Sequence, residues 1–119
     1  MRKKVYISGK IGEKVLSEAT RQKFAKVEEW LKSEKYDTFN PTTSGLGHAA
    51  ETAASLRGTT FYKEILVMDL SALAECDIIC MIPDWGESPG AHVEVAYAQA
   101  TGIPVKSLVY KNGEIKGWV

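Results

Sequence analysis

The chain lacks an excess of charge of either sign, and this absence excludes several classes of function. Of its 119 residues, 15 are basic and 15 are acidic, so the formal net charge is zero. General nucleic-acid binders and proteins that bind anionic membranes normally carry a basic excess. The composition therefore argues against both classes, while a local phosphate site stays compatible with it.

Long apolar runs and metal-ligand clusters are also missing. The basic start MRKKVYISGK enters a strand-like run without the apolar segment of about 7–15 residues that a secretory signal requires. No apolar run approaches the length of a transmembrane helix. The only cysteines, Cys76 and Cys80, have no neighbouring histidine or cysteine to complete a zinc site, so we interpret them as core residues. We expect a reduced, cytoplasmic protein without metal, cofactor, membrane or nucleic-acid-polymer partner.

What is present is the composition of one globular domain that covers residues 1–119. The hydrophobic share is 45% and the charged share 25%. Strand-like and helix-like patterns alternate along it. The strands are predicted at 3–8, 36–39, 77–82, 103–110 and 114–119, and the helices at 13–32, 60–75 and 91–101. This alternation predicts an α/β fold with a mainly parallel sheet of about five strands flanked by helices, of the Rossmann or flavodoxin-like type.

The first predicted helix has one apolar stripe, and an acidic residue, Glu13, stands at its predicted start. Members of the stripe recur at helical spacing, and they are Leu16, Thr20, Phe24, Val27 and Leu31. Before this helix, residues 9–12 (GKIG) form a glycine-bearing loop that is neither G-x-G-x-x-G nor a P-loop. The loop is either a close approach to a ligand phosphate or a tight strand-to-helix turn.

The segment 41–60 has the least regular pattern. It holds one alanine-rich piece, 48–56, which is compatible with a short helix. A loop of this length in a small domain is often functional, so we consider it a candidate lid over a site. His48 and Arg57 are candidate ligand contacts, but exposed surface roles are the simpler interpretation of both.

The stretch 69–102 carries the clearest chemistry. Asp69 falls on an apolar helix stripe between Ile65 and Leu73, where a carboxylate is costly unless it is paired or functional. The loop 83–90 follows a buried strand and leads into a helix whose first amides, with Ser88, form a potential anion site. Glu94 lies one turn inside that helix. Two carboxylates beside an anion site suit chemistry at a glycosidic carbon. They also suit plain solvent-exposed charge, which is the simpler interpretation of Glu94 taken alone.

Three patches together resemble the nucleoside 2-deoxyribosyltransferase superfamily, which includes the 2-deoxynucleoside 5-monophosphate N-glycosidases. The first is YISGKI at 6–11, which resembles the family's opening strand and Y-x-x-G-x-I loop. The second is Asp69-Leu70, followed eight residues on by Asp77. The third is Ser88 to Glu94, with an alanine-rich helix and the G-x-P at 102–104. The chain is similar in particular to small phage and bacterial relatives.

The resemblance implies a retaining reaction on a nucleoside or its 5-monophosphate. Glu94 would be the nucleophile that forms a covalent glycosyl-enzyme, Asp69 would assist proton transfer to the leaving base, and Tyr6 would hold Glu94. Gly9 would let the backbone approach the ligand. The substrate-binding residues implied are Ser8, Gly9, Lys10, Ile11, Asp84, Trp85, Ser88, Gly90 and Ala91.

Transferases of this superfamily that act on free nucleosides often have an aspartate at the place of Ser88, and an aspartate would repel a phosphate. Ser88 therefore favours a monophosphate as substrate. The first loop departs from the pattern of the monophosphate hydrolases, because Lys10 stands where they have a serine, and the nearby arginine is replaced. Two other functions stay open: a non-catalytic nucleotide-sensing module, and a structural protein that uses the fold alone. The resemblance also implies a homo-oligomer, with Trp118 at an interface or at the sheet edge.

Overall fold

The computed structural model describes residues 2–12 and 14–119. Strands and helices alternate along the chain, with a short 3-10 helix before the last α-helix. The strands are β1 (Lys4–Ser8), β2 (Asp37–Phe39), β3 (Ile78–Met81), β4 (Val105–Lys111) and β5 (Glu114–Trp118). The helices are α1 (Glu18–Ser33), α2 (Leu46–Arg57), α3 (Phe61–Ala74) and α4 (Pro89–Thr101), and the 3-10 helix is Pro83–Glu87.

One sheet of five strands organises the fold, in the order β2-β1-β3-β4-β5. The first four of these strands run parallel to one another, whereas β5 is antiparallel to β4. The hairpin between them turns at Asn112 and Gly113, which both have positive φ, as the Asn-Gly signal predicts. The prediction of an α/β fold with a mainly parallel sheet of five strands is therefore confirmed.

The strands bury a different set of side chains on each face of the sheet, because successive residues of a strand point in opposite directions. One face packs on α1, where Val5, Ile7 and Cys80 meet the α1 stripe of Phe24, Val27 and Leu31. Trp30, Tyr36 and Trp118 extend this cluster, and the Trp118 ring lies 5.5 Å from that of Trp30. The second face carries Tyr6, Ile79 and Met81 and packs on α3 and α4, through residues such as Leu73, Ala91 and Ala98.

The first helix begins later than the sequence pattern predicts. Ser17 is its N-cap and accepts a hydrogen bond from the Thr20 amide, so the helix starts at Glu18 and Leu16 precedes it. The cap overrides the apolar periodicity that we extended back to residue 13. Glu13 itself lies outside the described residues. The buried members of the stripe, Phe24, Val27 and Leu31, are those predicted.

Other boundaries differ by a few residues. The alanine-rich helix is longer than expected and runs from Leu46 to Arg57, and most of the loop 83–90 is a 3-10 helix with Pro83 in its first turn. Arg57 is exposed and forms an ion pair of 3.8 Å with Glu64, which agrees with a surface role. Among the described residues, no helix is long and apolar enough to cross a membrane.

The cysteines are core residues, as predicted. Cys76 is 6% exposed and Cys80 is fully buried. Burial raises the pKa of the Cys76 thiol to about 11 and that of Cys80 to about 12. Both thiols are therefore protonated at neutral pH, which is the form in which a buried cysteine packs as a small apolar side chain.

Candidate active site

A cavity of about 530 Å³ opens beside the carboxyl end of β1, between the first loop, α3 and the start of α4. This volume is in the range of small-molecule sites. Its wall is mostly apolar and includes aromatic rings of α3, while two carboxylates, Asp69 and Glu94, lie in its lining. The apolar residues of the wall include Ile7, Ile11, Leu16, Pro41, Phe61, Tyr62, Ile65, Leu66, Pro89 and Val93.

Glu94 is the most tightly held polar group in the cavity. It lies in the second turn of α4 and is 7% exposed. The Ser8 hydroxyl donates to its Oε1 and the Tyr6 hydroxyl to its Oε2, each at 2.7 Å. Both donors come from β1, and they share one face of the sheet because they are two residues apart in a strand. The strand therefore fixes the carboxylate from behind and leaves it facing the cavity.

The surroundings act on the pKa of Glu94 in opposite directions. Burial raises this pKa above its ordinary value, whereas the hydrogen bonds from Ser8 and Tyr6 lower it because they stabilise the charged form. Tyr6 shows the reciprocal effect. Burial first, and then the charge of Glu94, raise the pKa of the Tyr6 phenol, so this hydroxyl stays a proton donor to the carboxylate.

Asp69 presents the second carboxyl to the cavity. It lies on α3, is 9% exposed, and its Oδ1 has no hydrogen-bond partner within the part of the chain that the structure describes. The alternative of an aspartate fully satisfied by backbone or a basic side chain therefore fails for this atom. Burial raises the pKa of Asp69 to about 7, and the nearby charge of Glu94 adds to the rise. The two carboxyl groups thus differ: Glu94 accepts from two hydroxyl donors, whereas the pKa of Asp69, about 7, lets this carboxyl carry a proton near neutral pH.

The start of α4 offers fewer free amides than the sequence predicts. Ser88 is the N-cap, and its Oγ accepts from the Ala91 amide at 3.2 Å. Its carbonyl accepts from the His92 amide at 3.1 Å, and Pro89 has no N–H. Of the predicted row of amides, that of Gly90 has no acceptor among the described residues, and it is left for a ligand together with the proton of the Ser88 hydroxyl.

The structure gathers many of the predicted site residues around the cavity. Gly9, Ile11, Asp69, Ser88, Gly90, Ala91 and Glu94 line it. Ser8 and Tyr6 are buried behind Glu94 and are not part of the lining, so Ser8 contacts the carboxylate where we expected it to contact the substrate. Tyr6 also stacks on Phe39, with ring centroids 5.1 Å apart.

Besides Ser8, three further predicted substrate-binding residues do not line the cavity: Lys10, Asp84 and Trp85. Asp84 accepts a hydrogen bond from the Lys10 amide at 2.9 Å and forms an ion pair with Lys23 at 2.6 Å. Both oxygens of its carboxylate therefore hold the first loop in place and are not available to a ligand. The Lys10 ammonium pairs with Glu87 at 3.2 Å. Trp85 packs on His92, with ring centroids 4.8 Å apart. The sequence predicts that these residues lie near the ligand loops, but not that their side chains are already paired with other residues of the protein.

Gly9 lines the cavity and also has a packing role that the sequence did not reveal. A Cβ at this position would lie 2.9 Å from the Cβ of Ile82 and 3.2 Å from Oδ1 of Asp84. Such contacts are too close for any side chain. The absence of a side chain therefore lets the first loop lie against the end of β3, which brings the loop to the cavity.

The amino-terminal half of α3 contributes to the cavity, which the sequence did not reveal. Tyr62, Ile65 and Leu66, on the apolar stripe that holds Asp69, line the cavity. A signal was present, because they lie seven, four and three residues before Asp69 and so share its face. Pro41 and Gly47, from the candidate lid segment, also line the cavity, whereas His48 does not.

The comparison with protein families assigns the chain to a family. Residues 3–107 match the family described as a domain of unknown function (DUF4406), and the chain belongs to this family. The matched range includes β1, α3 and α4, and therefore every residue of the cavity. A search of curated proteins found no match.

Proposed function

We propose that the chain cleaves or transfers the N-glycosidic bond of a nucleoside or deoxynucleoside, free or as its 5-monophosphate. The observation that carries this proposal is a buried glutamate, held by two hydroxyl donors, that faces an apolar cavity beside a second carboxyl, of which Oδ1 has no partner among the described residues. Retaining glycosidases use such a pair, one carboxylate as nucleophile and one carboxylic acid as proton donor.

In the proposed reaction, a carboxylate oxygen of Glu94 attacks the anomeric carbon of the sugar. The bond from that carbon to the base nitrogen breaks, and its electron pair goes to the base, which takes the proton of Asp69. Water, or an acceptor base, then attacks the same carbon and gives its proton to the Asp69 carboxylate, which frees Glu94. The raised pKa of Asp69, about 7, supports its role as the acid.

The wall of the cavity supports a flat, weakly polar leaving group. Phe61 and Tyr62 lie on the side of α3 that precedes Asp69. Aromatic rings are favourable surfaces for stacking a nucleobase. At the other end, the Ser88 hydroxyl and the Gly90 amide are the donors available for a 5-hydroxyl or 5-phosphate.

The fold and the sequence resemblance support the same proposal. The strand order β2-β1-β3-β4-β5 is the flavodoxin-like order, in which ligands bind at the switch point between the first and third strands. We infer a flavodoxin-like variant whose last strand has turned antiparallel. The cavity begins at Gly9, at the end of β1, as this rule requires. The similarity to the nucleoside 2-deoxyribosyltransferase superfamily rests in part on residues that line this cavity, among them Gly9, Asp69 and Glu94.

The test is a base-release assay over the common nucleosides and their monophosphates, with and without an acceptor base. We expect release by the wild-type chain, and a loss of at least about a thousandfold in Glu94→Gln, which keeps the shape but removes the nucleophile. A 2-fluoro-substituted nucleoside should leave a sugar adduct on Glu94 that mass spectrometry detects. Glu29→Gln, an exposed glutamate of α1, is the control and should keep full activity.

The same assay separates the alternatives. Tight nucleotide binding without base release under any acceptor would refute the enzyme and favour a nucleotide sensor. The absence of both binding and release would leave a structural role for the fold.

A further inference from the structure

A second cavity, of about 270 Å³, adjoins the first. The two share a wall formed by Lys14, Leu16, Pro41, Gly47 and Phe61. The smaller cavity adds mainly polar residues: Arg21, Thr42, Gly45, His48 and Glu51. The proposed reaction uses none of these added residues, so they need a separate explanation.

The second cavity presents mostly hydrogen-bond donors. Lys14 and Arg21 each bring a positive charge, and His48 brings an imidazole. Glu51 is the one carboxylate among the described lining residues, and it pairs with Lys14 at 3.2 Å. Arg21 has no ion-pair partner in residues 2–12 and 14–119. One cation is therefore left over in a cavity that opens to the ligand site.

Backbone donors add to these side chains. The cavity includes the start of α2, a helix of 12 residues whose N-cap, Gly45, has no side chain to cap it. The Leu46 amide donates to Ser44 Oγ and the Ala49 amide to the Gly45 carbonyl. The amides of Gly47 and His48 have no acceptor within the described chain. Free amides at the positive end of a helix dipole favour an anion.

The second cavity lies at the far end of the ligand site from Glu94. Phe61 lines both cavities and precedes Asp69 by eight residues of α3, which corresponds to roughly 12 Å along a helix axis. Asp69, whose buried Oδ1 has no partner among the described residues, lies at the Glu94 end of this distance, because the charge of Glu94 acts on its carboxyl. An extended ligand whose glycosidic bond lies at Glu94 would therefore pass Asp69 and reach the donors of the second cavity.

We propose that this second cavity is the subsite for an oxyanion group of the ligand, a phosphate or a carboxylate, bound by Arg21, Lys14 and the free amides of α2. The proposal rests on the proposed function for the identity of the ligand, but not for the existence of the subsite. It places the main anion site in the second cavity, because capping at the start of α4 occupies the Ala91 and His92 amides and leaves that of Gly90. An arriving oxyanion replaces Glu51 as the partner of Lys14.

Binding measured by calorimetry tests the subsite without any turnover. The probes are inorganic phosphate and the acidic base orotate on the wild-type chain, and a deoxynucleoside 5-monophosphate with its matching nucleoside on Glu94→Gln. Arg21→Ala should weaken binding of the anionic probe about tenfold and leave the nucleoside unchanged. Glu51→Gln should tighten it a few-fold, because it frees Lys14. Lys26→Ala removes an equal charge from an exposed site of α1 outside both cavities and should change nothing.

The outcomes identify the source of the oxyanion. A tenfold loss for the monophosphate assigns the subsite to a sugar phosphate, and a loss confined to orotate assigns it to an acidic group on the base. The proposal is overturned if Arg21→Ala changes no anionic probe, if Lys26→Ala weakens them equally, or if none of them binds at millimolar concentration. Loss of anion binding in Ser88→Ala alone would return the anion site to α4. Failure of base release leaves all these binding results interpretable.

Discussion

The two faces of the sheet are built from the same strands, yet they bury different chemistry. In β1, Val5 and Ile7 point to α1 and join a cluster without buried charge. The intervening Tyr6, and Ser8 beyond Ile7, point to the opposite face, where both donate to Glu94. One face therefore stabilises the fold by excluding water from apolar surface, while the other places two carboxyl groups in a low-dielectric wall at a cost in stability.

This contrast between the two faces shows how the site is held in place. Glu94 and Asp69 come from α4 and α3, and their positions depend on apolar neighbours in the same helices, such as Ala91, Ala98 and Leu73. The α1 face contains only apolar buried residues, so its packing stabilises the fold without the cost of a buried charge. This stability offsets the cost of burying the two carboxyl groups on the other face. Substitutions on the two faces should therefore separate stability from activity.

The largest expected effect is on the stability of the α1 face. Phe24 is fully buried in the apolar cluster, so Phe24→Ala should lower the free energy of unfolding by about 3–5 kcal/mol through the cavity it leaves. Urea denaturation measures this loss. Ala25→Ser, at an exposed neighbouring position, is the control. The folded fraction should keep its rate of base release within about twofold, and a much larger drop in that rate would end the separation of the two faces.

The next effect is on Asp69, where activity and stability should move in opposite directions. Asp69→Asn should slow base release by about 10²- to 10³-fold, since the leaving base loses its proton donor. In the wild type, the rate should fall as pH rises above about 7, the pKa of this carboxyl, and the variant should lose that limb. Glu75→Gln, an exposed carboxylate at the end of α3, should leave the profile unchanged.

The stability of the same variant depends on pH with a definite sign. The pKa of Asp69 rises from 3.8 to about 7 on folding, so the folded chain keeps a proton that the unfolded chain releases. Wild-type stability should therefore fall between these two pH values, and the loss is complete above the higher one. Asp69→Asn should be more stable than the wild type by about 2–4 kcal/mol at pH 8, with no difference below about pH 4. Equal stability of the wild type and Asp69→Asn at pH 8 would show that burial of the ionised Asp69 carboxyl does not destabilise the folded chain.

The smallest of these effects is expected for Tyr6, the residue of β1 that turns its ring to the site. Tyr6→Phe keeps the stacking on Phe39 but removes the donor to Glu94 Oε2. The rate should fall about 10- to 100-fold, and the acidic limb of the pH profile should move upward, because losing this hydrogen bond raises the pKa of Glu94. Tyr97→Phe, on the same core cluster, should retain the wild-type profile. An unmoved acidic limb in Tyr6→Phe would exclude a role in tuning Glu94.

Much of this architecture was accessible from local patterns. The alternation of strands and helices, the apolar stripe of α1 and the Asn-Gly hairpin each reflect a physical period or a backbone preference of short range. The predicted start of α1 was wrong, because apolar periodicity carries no information on capping. Ser17 caps the amino terminus of the helix, so the helix begins at Glu18 although the apolar periodicity extends further back. The same limit applies to the start of α4, where the side chain and carbonyl of Ser88 take up amides that the sequence leaves apparently free.

The fold class, the buried strands and the carboxylates at Asp69 and Glu94 could be read from the chain alone, because they follow from composition and periodicity. Which groups face one another depends on the packing of elements that are distant in sequence. Ser8 meets Glu94 across 86 residues and Asp84 meets Lys23 across 61. Pairing at such separations depends on the sheet order and the crossing of helices, so no local pattern encodes it. The same packing leaves Oδ1 of Asp69 without a partner among residues 2–12 and 14–119, and so available to a ligand in the cavity.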